Sequence, residues 1–318
     1  MLGGVCVFTV MSWNVENFFT PKPADQAAYD AKVAAVAAVI IAAAPDLLAL
    51  QEVGDEESFE ALRDALGARW TAALSTHFET PHTIRVGWLS PGDLSEVEEF
   101  VDLPAALSPV KVEDDGTTIT QLGRGALAVT YTAAAGTQVR AMTAHLKSKL
   151  LTFPGHRFDT NDEAERARYG VYALDRRAAE AAAVRDWATT ALAGEWADRP
   201  LLVCGDLNDT MDAATTQLLF GPPGSQIGTG GFNHPDQGDA QRLWDLGYAM
   251  TPPNNYSRVN QGRPELIDHI LVSHALLAPF TDTATVPLDV PSIGVHPTTA
   301  PRSDPPSDHR PVLAHFEL

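Results

Sequence analysis

The sequence is poor in cysteine and lacks a long apolar run. Its 318 residues contain two cysteines, Cys6 and Cys204, and each lies in an apolar stretch. Because free cysteines in such stretches are commonly buried, we expect two buried thiols and a stability that does not depend on disulfides. No apolar run approaches the roughly 20 residues that cross a bilayer, so we expect no transmembrane segment.

The N-terminus lacks the parts of a signal peptide. The segment MLGGVCVFTV contains no basic residue and no small-residue cleavage site, and it continues directly into SWN. We interpret it as the first strand of the fold, and we expect a cytoplasmic protein, or a secreted one if a leader has been removed.

Basic residues are greatly outnumbered by acidic ones. The chain has 22 Lys and Arg against 41 Asp and Glu, which gives a formal net charge of −19. Proteins that hold nucleic acid through a broad surface are basic, so this composition argues against that mode of binding. It leaves open an enzyme that grips one or two phosphates locally with the help of a metal ion.

Eight apolar runs of suitable length predict β-strands. They cover 5–13, 47–51, 84–90, 126–132, 139–146, 201–205, 266–273 and 311–318. Gly- and Pro-rich segments at 220–264 and 287–307 predict long loops. Many strands with few helices predict one domain, 1–318, in which two packed sheets are covered by helices.

Two helices are predicted between these strands. The first covers about 24–44 and is followed by Pro45. The second covers about 161–194, and its small and apolar side chains predict one core-facing stripe. The predicted stripe consists of Leu174, Ala178, Ala181, Val184, Ala188 and Leu192.

Polar residues suited to binding metal or phosphate fall near the ends of six predicted strands. They are Asn14, Glu52, His145, Asp206 with Asn208, Asp268, and Asp308 with His309. Buried charge costs several kcal/mol unless it is paired or bound to a metal. Each residue alone could stabilise a turn, form a surface ion pair or pack in the core, but together they predict a shared site.

The segment LLVCGDLND shows the pattern most clearly. An apolar strand stops at Gly205, and Asp206 and Asn208 follow within three residues. Residues two apart in extended backbone point to the same side, so we expect these two side chains to act together. By the same rule His269, which follows Asp268, is expected to face away from the site.

Taken in order, these segments resemble the endonuclease/exonuclease/phosphatase superfamily. The matching stretches are SWNVENFF, LLALQEV, TAHLKSK, VCGDLND, LIDHILVS and SDHRPV, which extend from residue 12 to residue 312. The resemblance implies an α/β fold, a four-layer α/β/β/α sandwich with two mixed sheets packed face to face. It also implies hydrolysis of a phosphate ester with Mg²⁺, or Mn²⁺, as cofactor.

The resemblance and the chemistry of the residues together predict individual roles. Glu52 is the first choice as metal ligand, Asp308 is a possible second, and Asn14 contacts the metal or the phosphate. Asp206 is the predicted base or the carboxylate that orients the attacking water, and Asn208 holds that water or a phosphate oxygen.

Two histidines are predicted on opposite walls of the site. His309 meets the phosphate, and Asp268 hydrogen-bonds to its other ring nitrogen and favours the charged imidazolium. His145 is a candidate acid or electrostatic partner. Its own carboxylate partner is not evident, because Glu79 lies in a plausible stretch but fits a solvated surface acid better.

Several cations are further candidates for phosphate binding. Arg166 and Arg177 lie close to one face of the second helix, although we favour their explanation as solvated helix charges that pair with Glu163 or Glu180. The remaining candidates are Arg124, Lys147 and Lys149. In the segment 231–239 a second metal site is conceivable at His234, Asp236 and Asp239, but turn formation accounts for these residues as well.

The favoured function is a metal-dependent phosphodiesterase of the nuclease type, with nucleic acid as the expected substrate. The alternative is an esterase for small phosphorylated metabolites or phospholipid head groups, which the acidic charge favours. A non-catalytic binding module is a third possibility, but it would be expected to have lost part of the site. We expect a monomer by default.

Overall fold

The computed structural model describes residues 6–79, 83–134, 136–155, 157–194, 198–220, 226–227, 241–294 and 306–318. The described residues form four α-helices: α1 (Gln26–Ala43), α2 (Glu56–Leu66), α3 (Glu163–Ala191) and α4 (Ala214–Phe220). Single 3₁₀ turns lie at Pro23–Asp25, Leu246–Ala249 and His274–Leu276.

Two mixed six-stranded sheets contain most of the strands. The first sheet has the order β15 (Phe280–Thr285), β17 (Val312–Glu317), β1 (Val7–Phe18), β2 (Leu47–Val53), β4 (Arg85–Ser90) and β3 (Thr71–Leu74). The second has the order β11 (Trp244–Asp245), β14 (Asp268–Val272), β10 (Leu201–Asp206), β9 (Gln138–His145), β8 (Gln121–Thr132) and β5 (Leu94–Asp102). Two small sheets are formed by β6 (Val110–Lys111), β7 (Thr118–Ile119), β12 (Arg258–Asn260), β13 (Arg263–Glu265) and β16 (Ser292–Ile293).

Three apolar clusters stack these elements into four layers. The central cluster packs one sheet on the other, and it includes Val10 and Trp88 from the first and Val129 and Ile270 from the second. A second cluster lies between the first sheet and helices α1 and α2. A third lies between the second sheet and helices α3 and α4. The predicted α/β/β/α sandwich is therefore confirmed, since each sheet buries both of its faces.

All eight predicted strands are present, but several elements were not predicted. Strand β5 has the sequence LSEVEEFVD and lies at a sheet edge with most of its side chains exposed, so it carries too few apolar residues to be recognised. The loop prediction for 220–264 is wrong in its second half, which contains β11, β12 and β13. The predicted loop 287–307 contains β16.

The predicted apolar stripe of α3 is wrong in its first half. Leu174 is 43% exposed, whereas Arg177 is 5% and Glu180 2% exposed. The buried face follows Ala173, Arg177, Glu180 and Ala181 before it becomes apolar at Val184. Hydrophobicity alone could not reveal this face, because two of its residues are charged and are buried through ion pairs.

The expectation of two buried thiols needs correction, whereas the absence of a transmembrane segment stays a prediction. Cys204 is buried as expected, but Cys6 is exposed, and neither forms a disulfide. One described helical segment, Pro23–Ala43, is long and apolar enough to cross a membrane, although this criterion also selects core helices and signal sequences. Its Val36, Ala37 and Ile40 pack in the cluster beneath α1.

Candidate active site

The pairing of three adjacent strands brings three predicted site residues into one row. Strand β10 pairs in parallel with β9 and antiparallel with β14, and Asp206 lies opposite both His145 and Asp268. All three residues are buried. Residues directly opposite each other in a ladder lie close enough for their side chains to interact, so the register itself creates the cluster.

The first sheet adds Asn14 and Glu52 to this row. The Nδ2 atom of Asn14 donates to Glu52 Oε1 at 3.1 Å and to Asp206 Oδ2 at 2.9 Å. Asn14 is 1% exposed, so these hydrogen bonds are shielded from water. A single amide therefore connects the carboxylates of the two sheets.

Glu52 is held in a backbone conformation that is uncommon for a residue with a side chain. Its φ angle is +64°, and the pairing register of β2 with β4 shifts between Gln51 and Val53. Its Oε2 atom accepts a hydrogen bond from the backbone N–H of Asn17 at 2.8 Å, and Asn17 itself has φ +47°. Such conformations are unfavourable and concentrate at functional sites, where the surrounding structure holds them.

His309 and Asp268 form a buried pair as predicted. His309 Nδ1 lies 2.7 Å from Asp268 Oδ2, and Trp13 Nε1 fixes the loop by donating to the carbonyl of His309 at 2.9 Å. Burial opposes charge on the ring, but the Asp268 carboxylate outweighs it and raises the pKa of His309 to about 10. The imidazole is consequently a cation at neutral pH.

Burial shifts the pKa values of Asp206 and His145 in opposite directions, each toward the neutral form of the side chain. Burial, followed by repulsion from Asp268, raises the pKa of Asp206 to about 6. Burial, followed by the charges of Arg124 and His309, holds the pKa of His145 well below its ordinary value. His145 Nε2 lies 3.4 Å from Asp206 Oδ2, so a neutral imidazole faces the carboxylate. Asp206 is the carboxylate neighbour of His145 that the sequence did not reveal.

Asn208 lies beside Asp206, but not for the expected reason. Strand β10 ends at Asp206, and Asn208 adopts φ +55°, so extended geometry does not align the two residues. Instead the backbone N–H of Asn208 donates to Asp206 Oδ1 at 2.9 Å, and its Nδ2 donates to the carbonyl of Leu146 at 3.0 Å. A local turn therefore sets the position of Asn208.

The predicted cations fall into two groups. The structure does not support phosphate clamps at Arg166, which is exposed and pairs with Glu163 at 2.7 Å, or at buried Arg177, which contacts Asp209 and the carbonyl of Lys147. Arg124 and Lys147 do lie near His145, since Arg124 Nη1 donates to the carbonyl of Leu146 at 2.6 Å. Lys149 pairs with Asp209 at 2.8 Å.

Glu79 and His269 lie outside the row of site residues. Glu79 pairs with Arg176 at 2.6 Å and so is not the partner of His145. His269 contacts Asp245 at 2.8 Å and the carbonyl of Asp209 at 2.9 Å, which confirms that it faces away from the site. The conceivable second metal site at His234, Asp236 and Asp239 lies outside the described residues.

The oxygen donors of Glu52, Asp308 and Asn14 suit a hard divalent cation such as Mg²⁺ or Mn²⁺. Asp206, Asp268 and His309 have ligand atoms within 4.8 Å of one another, and Oδ1 of Asp268 is buried without a hydrogen-bond partner among the described residues. Because His309 is protonated and paired with Asp268, this trio is a poor cation site, and the carboxylates of Glu52 and Asp308 are the better ligands. Glu52 is half-buried, and the Asp308 side chain is 15% exposed, so both remain accessible.

Supporting residues of the site were not predicted from the sequence. Gln51 is fully buried, and its Nε2 atom donates to Thr143 Oγ1 in the other sheet at 3.0 Å. Ser307 donates to the carbonyl of Asn14 at 2.6 Å. These residues carry no sequence signal of their own, because each acts through a partner more than ninety positions away.

Comparisons with known proteins agree with this architecture. The profile of the Endonuclease/Exonuclease/phosphatase family matches residues 11–309, and the chain belongs to that family. A comparison with curated proteins gives no match.

Solved structures with low sequence identity share the fold. The human Nocturnin catalytic domain with bound sulfate anion gives a TM-score of 0.59 at 15% identity over 98% of this chain and 94% of that chain. D. rerio TDP2 complexed with single strand DNA product gives 0.57 at 16% identity over 98% and 99%. A Bacteroides thetaiotaomicron mannosyl-6-phosphatase gives 0.57 at 15% identity over 96% and 98%. At these identities the likeness establishes the fold and no more.

Proposed function

We propose that this protein is a divalent-metal-dependent phosphodiesterase that cleaves nucleic acid by attack of water on phosphorus. One observation carries the proposal: side chains from both sheets meet in a single cluster through the amide of Asn14, which joins Glu52 to Asp206. Carboxylates, a charged imidazole and a neutral imidazole in one buried row match the needs of phosphate-ester hydrolysis.

Glu52 and Asp308 are the residues that would hold the metal, with Asn14 as a further contact. When bound, a divalent cation there supplies charge neutralisation at the phosphate oxygens. Two carboxylates suit Mg²⁺, which commonly takes one or two protein carboxylates and retains several waters.

The chain's own residues supply the proton transfer and the fixed charge. Asp206 has a pKa near 6, so it is ionised at neutral pH and can accept a proton from the attacking water. Asn208 is held next to Asp206 by its hydrogen bonds to Asp206 and to the carbonyl of Leu146, and it orients that water. His309 is held as a cation by Asp268 and stabilises the negative charge that develops on phosphorus oxygens.

His145 has a narrower role than a charged acid. Its low pKa keeps the ring neutral, so it can donate one N–H to a phosphate oxygen but adds no positive charge. Fixed hydrogen-bond donors in a buried site stabilise a transition state without reorganising.

Basic side chains near His145 favour a polyanionic substrate despite the acidic net charge. Lys147 lies beside Arg124, Arg176 and Arg177, and burial followed by these charges lowers the pKa of Lys147 to about 7 against the opposing charge of Glu180. The described ion pairs include no carboxylate for Lys147, whose ammonium donates to carbonyls at 2.7 and 3.0 Å. Arg176 and Arg177 already pair with carboxylates, so a further phosphate of the substrate would contact Lys147 and Arg124.

The second candidate is an esterase for small phosphate esters. The net charge of −19 favours it, because a long polyanion is repelled by the protein as a whole. Such a substrate would use the same cluster and contact less of the surrounding surface.

Purified protein with Mg²⁺ or Mn²⁺ and with EDTA separates these functions. Metal-dependent nicking of plasmid DNA or cleavage of RNA supports the nuclease. Turnover of a phosphodiester or phosphomonoester dye without nicking supports the small-ester enzyme. If metal-loaded protein turns over none of these substrates, the proposed hydrolase is wrong. Asp206→Asn should lower the rate by orders of magnitude while the melting temperature stays near that of wild type.

A further inference from the structure

Two charged residues of α3 are buried on the face that packs against the second sheet. Arg177 is 5% and Glu180 2% exposed, although the rest of this face consists mainly of alanine, valine and tryptophan. Burying charge is unfavourable unless each charge is paired and hydrogen-bonded. An apolar pair would pack this face equally well, so the contacts that these two side chains make require explanation.

Both side chains hydrogen-bond to the backbone of Lys147, two residues after His145. Glu180 Oε2 accepts the backbone N–H of Lys147 at 2.6 Å, and Arg177 Nη1 donates to the carbonyl of Lys147 at 3.0 Å. Glu180 is oriented by Arg176 Nε at 3.0 Å and also accepts the N–H of Gly123 at 3.2 Å. The chain two residues after His145 is thus fixed from both its donor and its acceptor side.

Arg177 also reaches the segment that follows Asp206. Its Nε and Nη2 atoms each lie 3.2 Å from Asp209 Oδ2, and Asp209 is the direct neighbour of Asn208. Asn208 in turn donates to the carbonyl of Leu146. A closed ring of contacts therefore joins α3 to the ends of β9 and β10, where the β-ladder between these strands finishes at the pair His145 and Asp206.

We infer that Arg177 and Glu180, the α3 clamp, are positioning residues for hydrolysis. By holding the ends of β9 and β10 together, they set the distance between His145 and Asp206 and the place of Asn208. The inference rests on the proposed function and identifies residues that position the site without contacting the substrate. Misplacement of reacting groups by about 1 Å can cost roughly 100-fold in rate, so such a clamp affects catalysis without touching substrate.

Arg185 provides a matched control on the same helix. It is partly buried, and its guanidinium donates to the carbonyls of Leu219 at 2.8 Å and Gln241 at 2.6 Å. These acceptors belong to α4 and to the segment after it, and neither is one of the residues that the proposed clamp holds. Arg185→Met therefore removes an arginine that ties α3 to backbone carbonyls while the contacts of Arg177 and Glu180 stay in place.

The kinetic test compares Arg177→Met, Arg177→Lys and Arg185→Met on the phosphate ester that wild type hydrolyses. Arg177→Met should lower kcat by roughly 10- to 100-fold and change KM less than about threefold. Arg177→Lys should recover part of the loss, because lysine keeps the charge but cannot span Asp209 and the Lys147 carbonyl at once. Arg185→Met should stay within about twofold of wild type when assayed below its melting temperature.

A second readout does not depend on turnover. Amide hydrogen exchange in residues 145–149 and 206–209 should accelerate in Arg177→Met and stay unchanged in Arg185→Met. If Arg177→Met and Arg185→Met lose equal activity at equal loss of melting temperature, or exchange in both segments is unaffected, the clamp is refuted. Inactive wild-type protein would refute the proposed function instead, while the exchange experiment would still test the clamp.

Discussion

The imidazole of His309 donates to Asp268 through a contact of 2.7 Å between two buried side chains. The same Asp268 carboxylate repels Asp206 on the neighbouring strand. Asp268 therefore raises the pKa of His309 to about 10 and, together with the larger effect of burial, that of Asp206 to about 6, and these two values lie far apart.

This separation predicts a broad pH optimum. In the proposed mechanism hydrolysis requires ionised Asp206 and charged His309, so the rate should rise through about pH 6 and remain high until about pH 10. In Asp268→Asn both limbs should move toward lower pH, because the carboxylate that raises both pKa values is gone. The measurement is kcat/KM against pH, with exposed Asp282→Asn as the control. An alkaline limb that stays in place in Asp268→Asn would contradict the assignment of His309.

Lys147 should affect substrate binding and the pH dependence of stability. Lys147→Gln should raise KM for a phosphate ester by about tenfold, since a charge-assisted hydrogen bond contributes roughly 1.5 kcal/mol or more. Lys149→Gln should have a smaller effect, because Lys149 is 44% exposed and already pairs with Asp209.

The stability effect of Lys147 has a defined sign. Its pKa falls from 10.5 in the unfolded chain to about 7 in the folded protein, so the unfolded state binds more protons between these values. The burial penalty is present in full below pH 7 and is relieved as the pH rises toward 10.5. Urea unfolding at pH 7 and pH 9.5 should therefore show a larger gain in stability for wild type than for Lys147→Gln.

Gly205 should tolerate no side chain. Its φ angle is +143°, and a Cβ atom there would lie 1.9 Å from the carbonyl oxygen of Ala144 on the adjacent strand. Gly205→Ala should lower the free energy of unfolding by at least about 4 kcal/mol or prevent folding. Gly170→Ala in α3 is the control, since its Cβ meets nothing within 4 Å; it should stabilise by about 0.5–1 kcal/mol. Equal unfolding midpoints for the two variants would contradict this account.

The two thiols should differ sharply in reactivity. Cys6 is exposed, whereas Cys204 is buried between the sheets, and burial raises the pKa of Cys204 to about 12. A thiol reagent at pH 8 should modify one cysteine in the native protein and two in urea. Cys6→Ser should abolish the fast reaction, and fast modification of Cys204 in the folded protein would show that the central layer opens readily.

The strand ends and the residues that follow them could be predicted from sequence, because apolar runs stop abruptly at polar residues such as Asp206. The pair of His309 and Asp268 was likewise accessible from order and family resemblance. The neighbour of His145 was not, since Asp206 becomes adjacent only through the register of β9 with β10. The hydrogen bond from Asn14 to Asp206 spans 192 positions, and no local pattern encodes it.

Arg177 shows most clearly what the sequence alone cannot predict. Helical spacing placed it near the site but could not distinguish a side chain that faces substrate from one buried behind the catalytic loops. That distinction depends on how deeply α3 sits against the second sheet and on Asp209, which approaches from another part of the chain.

The amide of Asn14 joins carboxylates that belong to opposite halves of the sandwich. This junction depends on the packing of one sheet on the other, so we expect it to be lost before the strands and helices themselves. Loss of hydrolysis on mild heating or at low urea should thus precede loss of helical and sheet content.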